Sequence, residues 1–390
     1  MRVLLTGNEG LTGTLLVPML RAAGHEVIGL DSGLFRKCSV AAAPPVPTLR
    51  KDIRDVAIAD LDGVDAVIHL AGLSNDPLGD LNPPLTHEIN HLATVRLAVL
   101  ARTVGVARFL YASTCNVYGA AGDDFLDEGS PLKPLTPYAR SKRRSEQDLA
   151  RLADDRFCPV FVRVGTAYGA APLLRLDLAV NNLVAWAATT GLVLLKSLGA
   201  SWRPLVHIED IARAYVMLLH APRAVVHNRA FNVGRTEENF RIRDVAELVS
   251  RIVPETRVEL AVNAAADRRN YRVKCDRLLR EVPTWQPRWT VAEGAREVYQ
   301  AIRDTGLRSH DFEGPRYNRT AHVRKLLREG AIDADLRWRE PGDERRAADD
   351  GALDHALDAQ PHRGRLSVLR QASAGADALV RSRARRLSPT

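Results

Sequence analysis

A doubly wound α/β fold built on a parallel sheet is predicted by three features of the sequence. Val3 to Gly13 (VLLTGNEGLTG) is a short apolar run that stops at a glycine turn and enters a helix. Glu26 to Leu30 is a second strand-like run and ends in Asp31. Further apolar runs, Val64 to Leu70 and Phe109 to Ala112 among them, alternate with helical stretches. Strands alternating with helices favour a parallel sheet covered on both faces.

Val3, Leu4 and Leu5 read as a buried parallel strand. Gly7, Gly10 and Gly13 follow at three-residue spacing. The first glycine permits the turn, the second lets a pyrophosphate approach the backbone, and the third lets a helix pack closely on the strand. The helix that opens at Leu11, with Leu15, Leu16, Met19 and Leu20 as its apolar positions, aims its N-terminal N–H groups at the phosphates. Asp31, closing the second strand, suits the two adenosine ribose hydroxyls and repels a 2′-phosphate, so NAD is expected rather than NADP.

A Pro- and Ala-rich connection over residues 32–47 leads to Asp52-Ile53. Placed after a third strand, this pair flanks an adenine, the Asp bonding its amino group and the Ile packing on its face. Taken alone, Asp52 is equally a loop carboxylate. The run from Val64 ends in Leu70-Ala71-Gly72, where small residues leave room for the cofactor against the sheet.

His87-Glu88-Ile89-Asn90-His91 matches the zinc-protease helix HExxH. Here the helix lies between two sheet strands and has to bury Leu92, Val95, Leu97 and Leu100, and no third ligand stands in a suitable position, so no metal is expected.

Phe109 to Ala112 delivers Ser113-Thr114-Cys115-Asn116, and Tyr138-Ala139-Arg140-Ser141-Lys142 follows on a helix running to Leu152. Positions i and i+4 share a helix face, so the Lys142 ammonium is expected near the Tyr138 phenol. A nearby cation favours phenolate, lowering a pKa that starts near ~10 toward the range of a general base. The Thr114 hydroxyl is placed to hold the substrate oxygen that exchanges its proton with Tyr138. A lone Tyr-x-x-x-Lys pair reads as a surface helix; this one arrives one helix after a Ser-Thr strand end in a chain that opens with a glycine turn.

At 390 residues and 46% hydrophobic content the chain holds one large or two medium domains with ample core. No apolar run approaches a membrane span and no leader precedes the first strand, so a soluble, cytoplasmic protein is expected. Cys38, Cys115, Cys158 and Cys275 lie far apart with no CxxC pair, which argues against a disulfide framework or zinc knuckle. The net charge of +8 would suit a polyanion, but the arginines are scattered and aromatics make up only 5%. That pattern favours a pocket for phosphorylated small molecules over a nucleic-acid platform.

Together these residues resemble the NAD-dependent nucleotide-sugar epimerase/dehydratase family of extended short-chain dehydrogenase/reductases. The likeness runs from Met1 to about Trp338 and is carried by TGNEGLTG, Asp31, Asp52-Ile53, IHLAG, Asn90, STCNVYG, YARSK, Arg163, Tyr168-Gly169, Val180 to Leu183, Trp202 to His207 with Asp210, and Phe231 to Gly234. The resemblance implies a Rossmann-type sheet with a smaller C-terminal α/β substrate domain. Residues 1–164 and 205–234 would form the NAD-binding domain, 165–204 and 235–338 the substrate domain, and 339–390 a flexible or weakly helical tail. It implies a catalytic set of Thr114, Tyr138 and Lys142, with Asn90, Tyr138 and Lys142 joining the cofactor residues. Ser113, Thr114, Asn182, Arg203 and Arg269 or Arg268 would bind a nucleotide-diphosphate sugar, and a homodimer would form through the helices after Asn90 and Tyr138. From Arg235 to Trp338 the chain reads as short helices and loops.

The chain also departs from that pattern. Sugar 4,6-dehydratases carry Asp-Glu after the catalytic Thr, whereas here Cys115-Asn116 follows. Asn116 has no titratable proton, which disfavours that dehydration route. Cys115 is a candidate thiolate base at a neighbouring carbon, or a packing residue. The leading expectation is an epimerase acting at C4, with a 4-ketoreductase or dehydrogenase, a Cys115-assisted dehydratase or epimerase, and a non-catalytic NAD sensor as alternatives.

Overall fold

The computed structural model describes residues 1–38 and 45–339. The tail expected from 339 onward therefore lies outside the described residues except for Arg339, as do residues 39–44 of the connection after Asp31. Among the described residues no helix is long and apolar enough to cross a membrane.

The strands, named in chain order, are β1 (Arg2–Thr6), β2 (Glu26–Asp31), β3 (Thr48–Arg50), β4 (Ala66–His69), β5 (Arg108–Thr114), β6 (Ala120–Leu126) and β7 (Cys158–Val164). They continue as β8 (Thr166–Tyr168), β9 (Leu192–Ser197), β10 (Trp202–His207), β11 (Arg229–Val233), β12 (Asn239–Arg241), β13 (Arg257–Ala265) and β14 (Asn270–Val273).

A seven-stranded sheet runs in the order β11-β7-β5-β4-β1-β2-β3, every neighbouring pair parallel. Its central strands are near-continuous apolar runs because helices cover both faces: all of β4 is buried, and all of β7 but Val164. On one face the helix Leu11–Ala22 packs through Leu16, Val17 and Leu20 against Ile211, Tyr215 and Leu218 of the helix Ile208–His220. On the other, Leu97, Ala98 and Ala101 of the helix Ala93–Thr103 and Leu149 of the helix Pro137–Arg151 share a core with Leu4 and Val67. The chain moves outward from β1 to β3, then returns to the other side of β1 with β4. A crevice opens at such a switch point, above the C-terminal strand ends.

The remaining strands form smaller sheets: β8 with β10 and β12, β9 with β13, and β6 with β14. Their core gathers Leu183, Val184, Trp186, Val193, Leu205, Val249 and Phe312.

Three sequence expectations change here. The stretch after Arg235 contains β12, β13 and β14 as well as helices and loops; β13 is largely solvent-exposed, so it lacks the clear burial period of a core strand. Leu92 is 51% exposed rather than buried, because Glu88–Leu92 forms a π-helical turn. The extra residue per turn rotates the following helix so that Ala93, Thr94, Leu97, Ala98 and Ala101 face inward. Finally, residues 319–338, expected in the substrate domain, pack on the nucleotide half. Val323, Leu326 and Ile332 join the core of Leu4 and Leu30, Trp338 donates to the Ser32 carbonyl at 2.8 Å, and Arg337 pairs with Asp55.

Candidate active site

A cavity of about 1550 Å³ occupies the crevice at the switch point and extends into the smaller domain. Single-ligand pockets typically measure about 300–1,000 Å³, so this volume has room for two sizeable ligands.

Its floor is the glycine turn. Gly7 has φ +72°, and a Cβ there would stand 2.9 Å from the Ala71 nitrogen. A Cβ on Gly13 would fall 2.4 Å from the Gly7 carbonyl oxygen, so the helix can start this close to the turn only without a side chain. Gly10 and Leu11 complete the turn at the cavity wall, opposite Leu70, Ala71 and Gly72. The latter segment is held from behind: Thr6 Oγ1 accepts from the Ala71 N–H at 3.1 Å and lies 2.7 Å from His69 Nδ1, whose Nε2 meets Thr94 Oγ1 at 2.8 Å. Burial, with a smaller contribution from the Lys142 charge, pushes His69 down to about 3, so it works as a neutral bridge.

Asp31 reaches the cavity from the end of β2, accepting from the Glu9 N–H at 3.1 Å and the Gly33 N–H at 2.8 Å. Asp52 and Ile53 also line it, with the Asp52 carboxylate bound to the Arg54 N–H and guanidinium. Asn90 does not line the wall. Its side-chain oxygen accepts from the Leu73 N–H at 2.7 Å and its amide donates to the Leu73 carbonyl at 2.9 Å, so it fixes the loop after β4 from within the core. A side chain consumed by the backbone in this way is a positioning residue.

Thr114, Tyr138 and Lys142 all line the cavity. The Pro137–Arg151 helix is capped by Thr136, whose hydroxyl accepts from the Ala139 N–H at 3.1 Å, and this start sets the rotation that turns Tyr138 and Lys142 inward. The Thr114 hydroxyl accepts from the Asn116 N–H at 3.2 Å and pulls the pKa of the Tyr138 phenol downward. Lys142 donates to the Ala112 carbonyl at 2.7 Å, with its Nζ 4.8 Å from the Tyr111 ring centre and 5.9 Å from that of Tyr138. Lys142, expected to lower the phenol's pKa, is not what governs it. Burial and then the Asp76 charge push Tyr138 well above its ordinary value, against a downward pull from Thr114. Lys142 itself is pushed down to about 8 by burial, opposed by Glu146.

Cys115 points away from the cavity. It is buried with Val117, Tyr118, Tyr271, Val273 and Cys275, its thiol donates to the Arg163 carbonyl at 3.3 Å, and burial pushes that thiol far above the range of a usable thiolate. The packing reading of Cys115 replaces the catalytic one. Ser113 lines the cavity, but its hydroxyl donates to Glu146, which in turn pairs with buried Arg163 at 2.7 Å.

Asn182, Arg203 and Arg269 also line the cavity. Asn182 donates to the Leu176 carbonyl at 2.8 Å. Arg203 and Arg269 each reach Asp267 at 2.6 Å, so a shared carboxylate holds two guanidinium forks at the wall. Arg268 lines the cavity beside them.

The fold adds groups that no local pattern singled out. Asp76, just beyond β4, is nearly buried and accepts from Thr136 at 2.6 Å, from Asn116 at 3.0 Å and from Arg269. Tyr271 donates to Asn116. Thr136, which caps the helix Pro137–Arg151, joins this cluster. His87 and His91, the HExxH histidines, sit with Nδ1 atoms 3.3 Å apart, and His91 Nε2 meets Asp148 at 2.6 Å. No group of three or more potential metal ligands is present among the described residues.

Against known proteins, the model of the NAD dependent epimerase/dehydratase family matches residues 3–234. A UDP-glucose 4-epimerase of Mycolicibacterium smegmatis is 28% identical over 78% of this chain and 99% of its own. A UDP-glucuronic acid decarboxylase of Arabidopsis thaliana is 27% identical over 80% of this chain and 72% of its own. Among solved structures, the NAD-dependent NDP-hexosamine 5,6-dehydratase TunA of tunicamycin biosynthesis superposes with a TM-score of 0.69 at 26% identity, covering 78% of this chain and 98% of its own. The dTDP-glucose 4,6-dehydratase DesIV of Streptomyces venezuelae gives 0.68 at 25%, covering 80% and 99%.

Proposed function

The chain belongs to the NAD dependent epimerase/dehydratase family, and from that premise we propose that it is a nucleotide-sugar epimerase acting at C4 through a transient keto sugar. The observation that carries this reading is the meeting of Thr114, Tyr138 and Lys142 with the glycine turn and with Arg203 and Arg269 in one cavity. The turn fits NAD because a Cβ at Gly7 or Gly13 would run into the backbone of Ala71 or of Gly7 and Asn8, so only glycines let the turn stay tight and bring the opening of the helix Leu11–Ala22 to the cavity. Gly7, Gly10, Leu11 and Gly13 would hold its diphosphate, Asp31 its adenosine ribose, and Lys142 its second ribose. NAD supplies the hydride acceptor and a positive charge.

Tyr138 takes the proton of the sugar hydroxyl, and Thr114 holds the sugar oxygen in line with it. Arg203, Arg269 and Asn182 bind the substrate diphosphate, leaving the sugar free to turn between the two half-reactions. Uncharged Asn116 and buried Cys115 favour epimerisation over elimination, since neither offers a proton to a departing hydroxyl. We further infer a homodimer, because Leu92 and Val99 stand 51% and 44% exposed at and beyond the π-turn and would be covered by a second copy.

A second reading, proton transfer at the carbon beside the transient ketone, is favoured by the buried Asp76 carboxylate next to Tyr138. Two measurements test these readings. Heat-released NAD near one per chain supports a self-contained oxidation and re-reduction, whereas an empty protein shifts the reading to a reductase or dehydrogenase that borrows its cofactor. Turnover in deuterium oxide then separates the two chemistries: C4 epimerisation leaves carbon-bound hydrogens unexchanged, and chemistry at the neighbouring carbon puts deuterium into the product.

A further inference from the structure

We propose that Arg319, carried in from the far end of the chain, is a cofactor-diphosphate ligand that closes over the glycine turn. It is the first residue of the helix Arg319–Arg328, whose N-terminal residues line the cavity. The opening of the helix Leu11–Ala22 lines the same cavity from the sheet side. Asn318 caps the helix Arg319–Arg328 by accepting from the Ala321 N–H at 3.0 Å, and the positive dipole ends of the two helices favour an anion between them.

The guanidinium supplies the independent sign of a ligand. Arg319 is 7% exposed, and its Nη2 stands 3.8 Å from where a Cβ on Gly10 would be. Its Nη1 donates to Ser74 Oγ at 2.9 Å, while its Nε is buried without a hydrogen-bond partner. Its carbon neighbour is the Phe35 ring, 4.3 Å away. The nearby carboxylate of Asp177 is already held by a two-pronged ion pair with Arg175 at 2.9 Å. Burial, followed by the Arg175 charge, pushes the Arg319 guanidinium down to about 9, against the upward pull of Asp177, Cys38 and Asp31. A buried guanidinium whose nearby carboxylate is engaged by a second arginine is costly, and a diphosphate in the crevice supplies an anion on its Gly10 side.

Unlike Arg203 and Arg269, which share Asp267 at the substrate end, Arg319 faces Gly10 and Ser74. The inference rests on the dinucleotide reading of the cavity. Its test is calorimetric titration of the full chain, stripped of nucleotide, with NAD, ADP-ribose, adenosine and UDP, in the wild type, Arg319→Gln and Arg319→Lys.

For Arg319→Gln we expect NAD and ADP-ribose to bind about 10- to 100-fold more weakly, with adenosine and UDP unchanged and the nucleotide-free melting temperature no lower. Arg319→Lys should recover part of the loss. Unchanged NAD affinity, an equal loss for adenosine, or a loss for UDP instead would overturn the assignment. If Arg319→Gln does not fold, Arg319→Lys decides: weaker NAD binding with an unchanged nucleotide-free melting temperature supports it, and unchanged binding overturns it. A wild type that binds neither NAD nor ADP-ribose would sink the dinucleotide reading itself, an outcome distinct from a variant that matches a binding wild type.

Discussion

The Arg269 guanidinium donates to the Asp76 carboxylate, joining residues 193 positions apart across the two parts of the cavity. Asp76 is also, after burial itself, the strongest influence raising the Tyr138 pKa. One carboxylate thus anchors Arg269 and opposes ionisation of the Tyr138 phenol.

Replacing Asp76 by Asn removes that charge and should make phenolate easier to form. The sign is downward: the alkaline rise of the pH–rate profile should shift to lower pH by about one unit. Stopped-flow absorbance of cofactor reduction between pH 6 and 10 reads it directly. A profile in the variant that coincides with the wild type would show that Asp76 does not act on the base.

Tyr138→Phe should lower turnover by about 10²- to 10⁴-fold, the usual worth of a positioned acid–base group. NAD affinity should stay within about twofold, since the phenol oxygen serves the proton transfer and the diphosphate is held by the glycine turn. Full turnover in this variant would remove Tyr138 from the mechanism.

Cys115→Ala should leave turnover within about threefold of wild type, because the thiol faces Arg163 and the small core of Tyr118 and Tyr271. Stability should drop by about 1 kcal/mol from the lost packing. A loss of several orders of magnitude, with the fold intact by circular dichroism, would restore the cysteine to the chemistry.

His69 gives a prediction about stability and pH. Its folded pKa is pushed down to about 3 by burial, while an unfolded histidine titrates at 6.5. The unfolded chain therefore binds the proton first, and stability falls as pH drops below 6.5, levelling off near 3. At pH 5 the part due to His69 is roughly 2 kcal/mol. Urea unfolding of wild type and His69→Gln at pH 7 and pH 5 should show a smaller pH-dependent loss in the variant; equal losses would mean that His69 takes up its proton in the native state.

Features set by neighbouring residues were the ones legible from sequence. The apolar runs at Val3, Val64 and Phe109 mark strands buried on both sides, and the glycine spacing marks a turn whose backbone clearances admit no side chain. Tyr138 and Lys142 could be paired because a helix fixes their spacing. The direction of the Tyr138 shift could not, because burial and Asp76 reach it through the fold. Asn90 was assigned to the cofactor by likeness, yet its amide closes on Leu73 behind the wall. Leu92 failed because a π-turn breaks the 3.6-residue period on which the burial reading rested. Arg319 was one arginine among many until the chain brought it to Gly10.

The return of residues 319–338 to the nucleotide half has a consequence for synthesis on the ribosome. Val323, Leu326 and Ile332 belong to the same core as Leu4 and Leu30. The edge strand β11 is also supplied late, pairing with β7 only once Arg229–Val233 has been made. The half that emerges first is thus the last to be complete, and until the final turns of described chain leave the exit tunnel its sheet keeps part of one face uncovered.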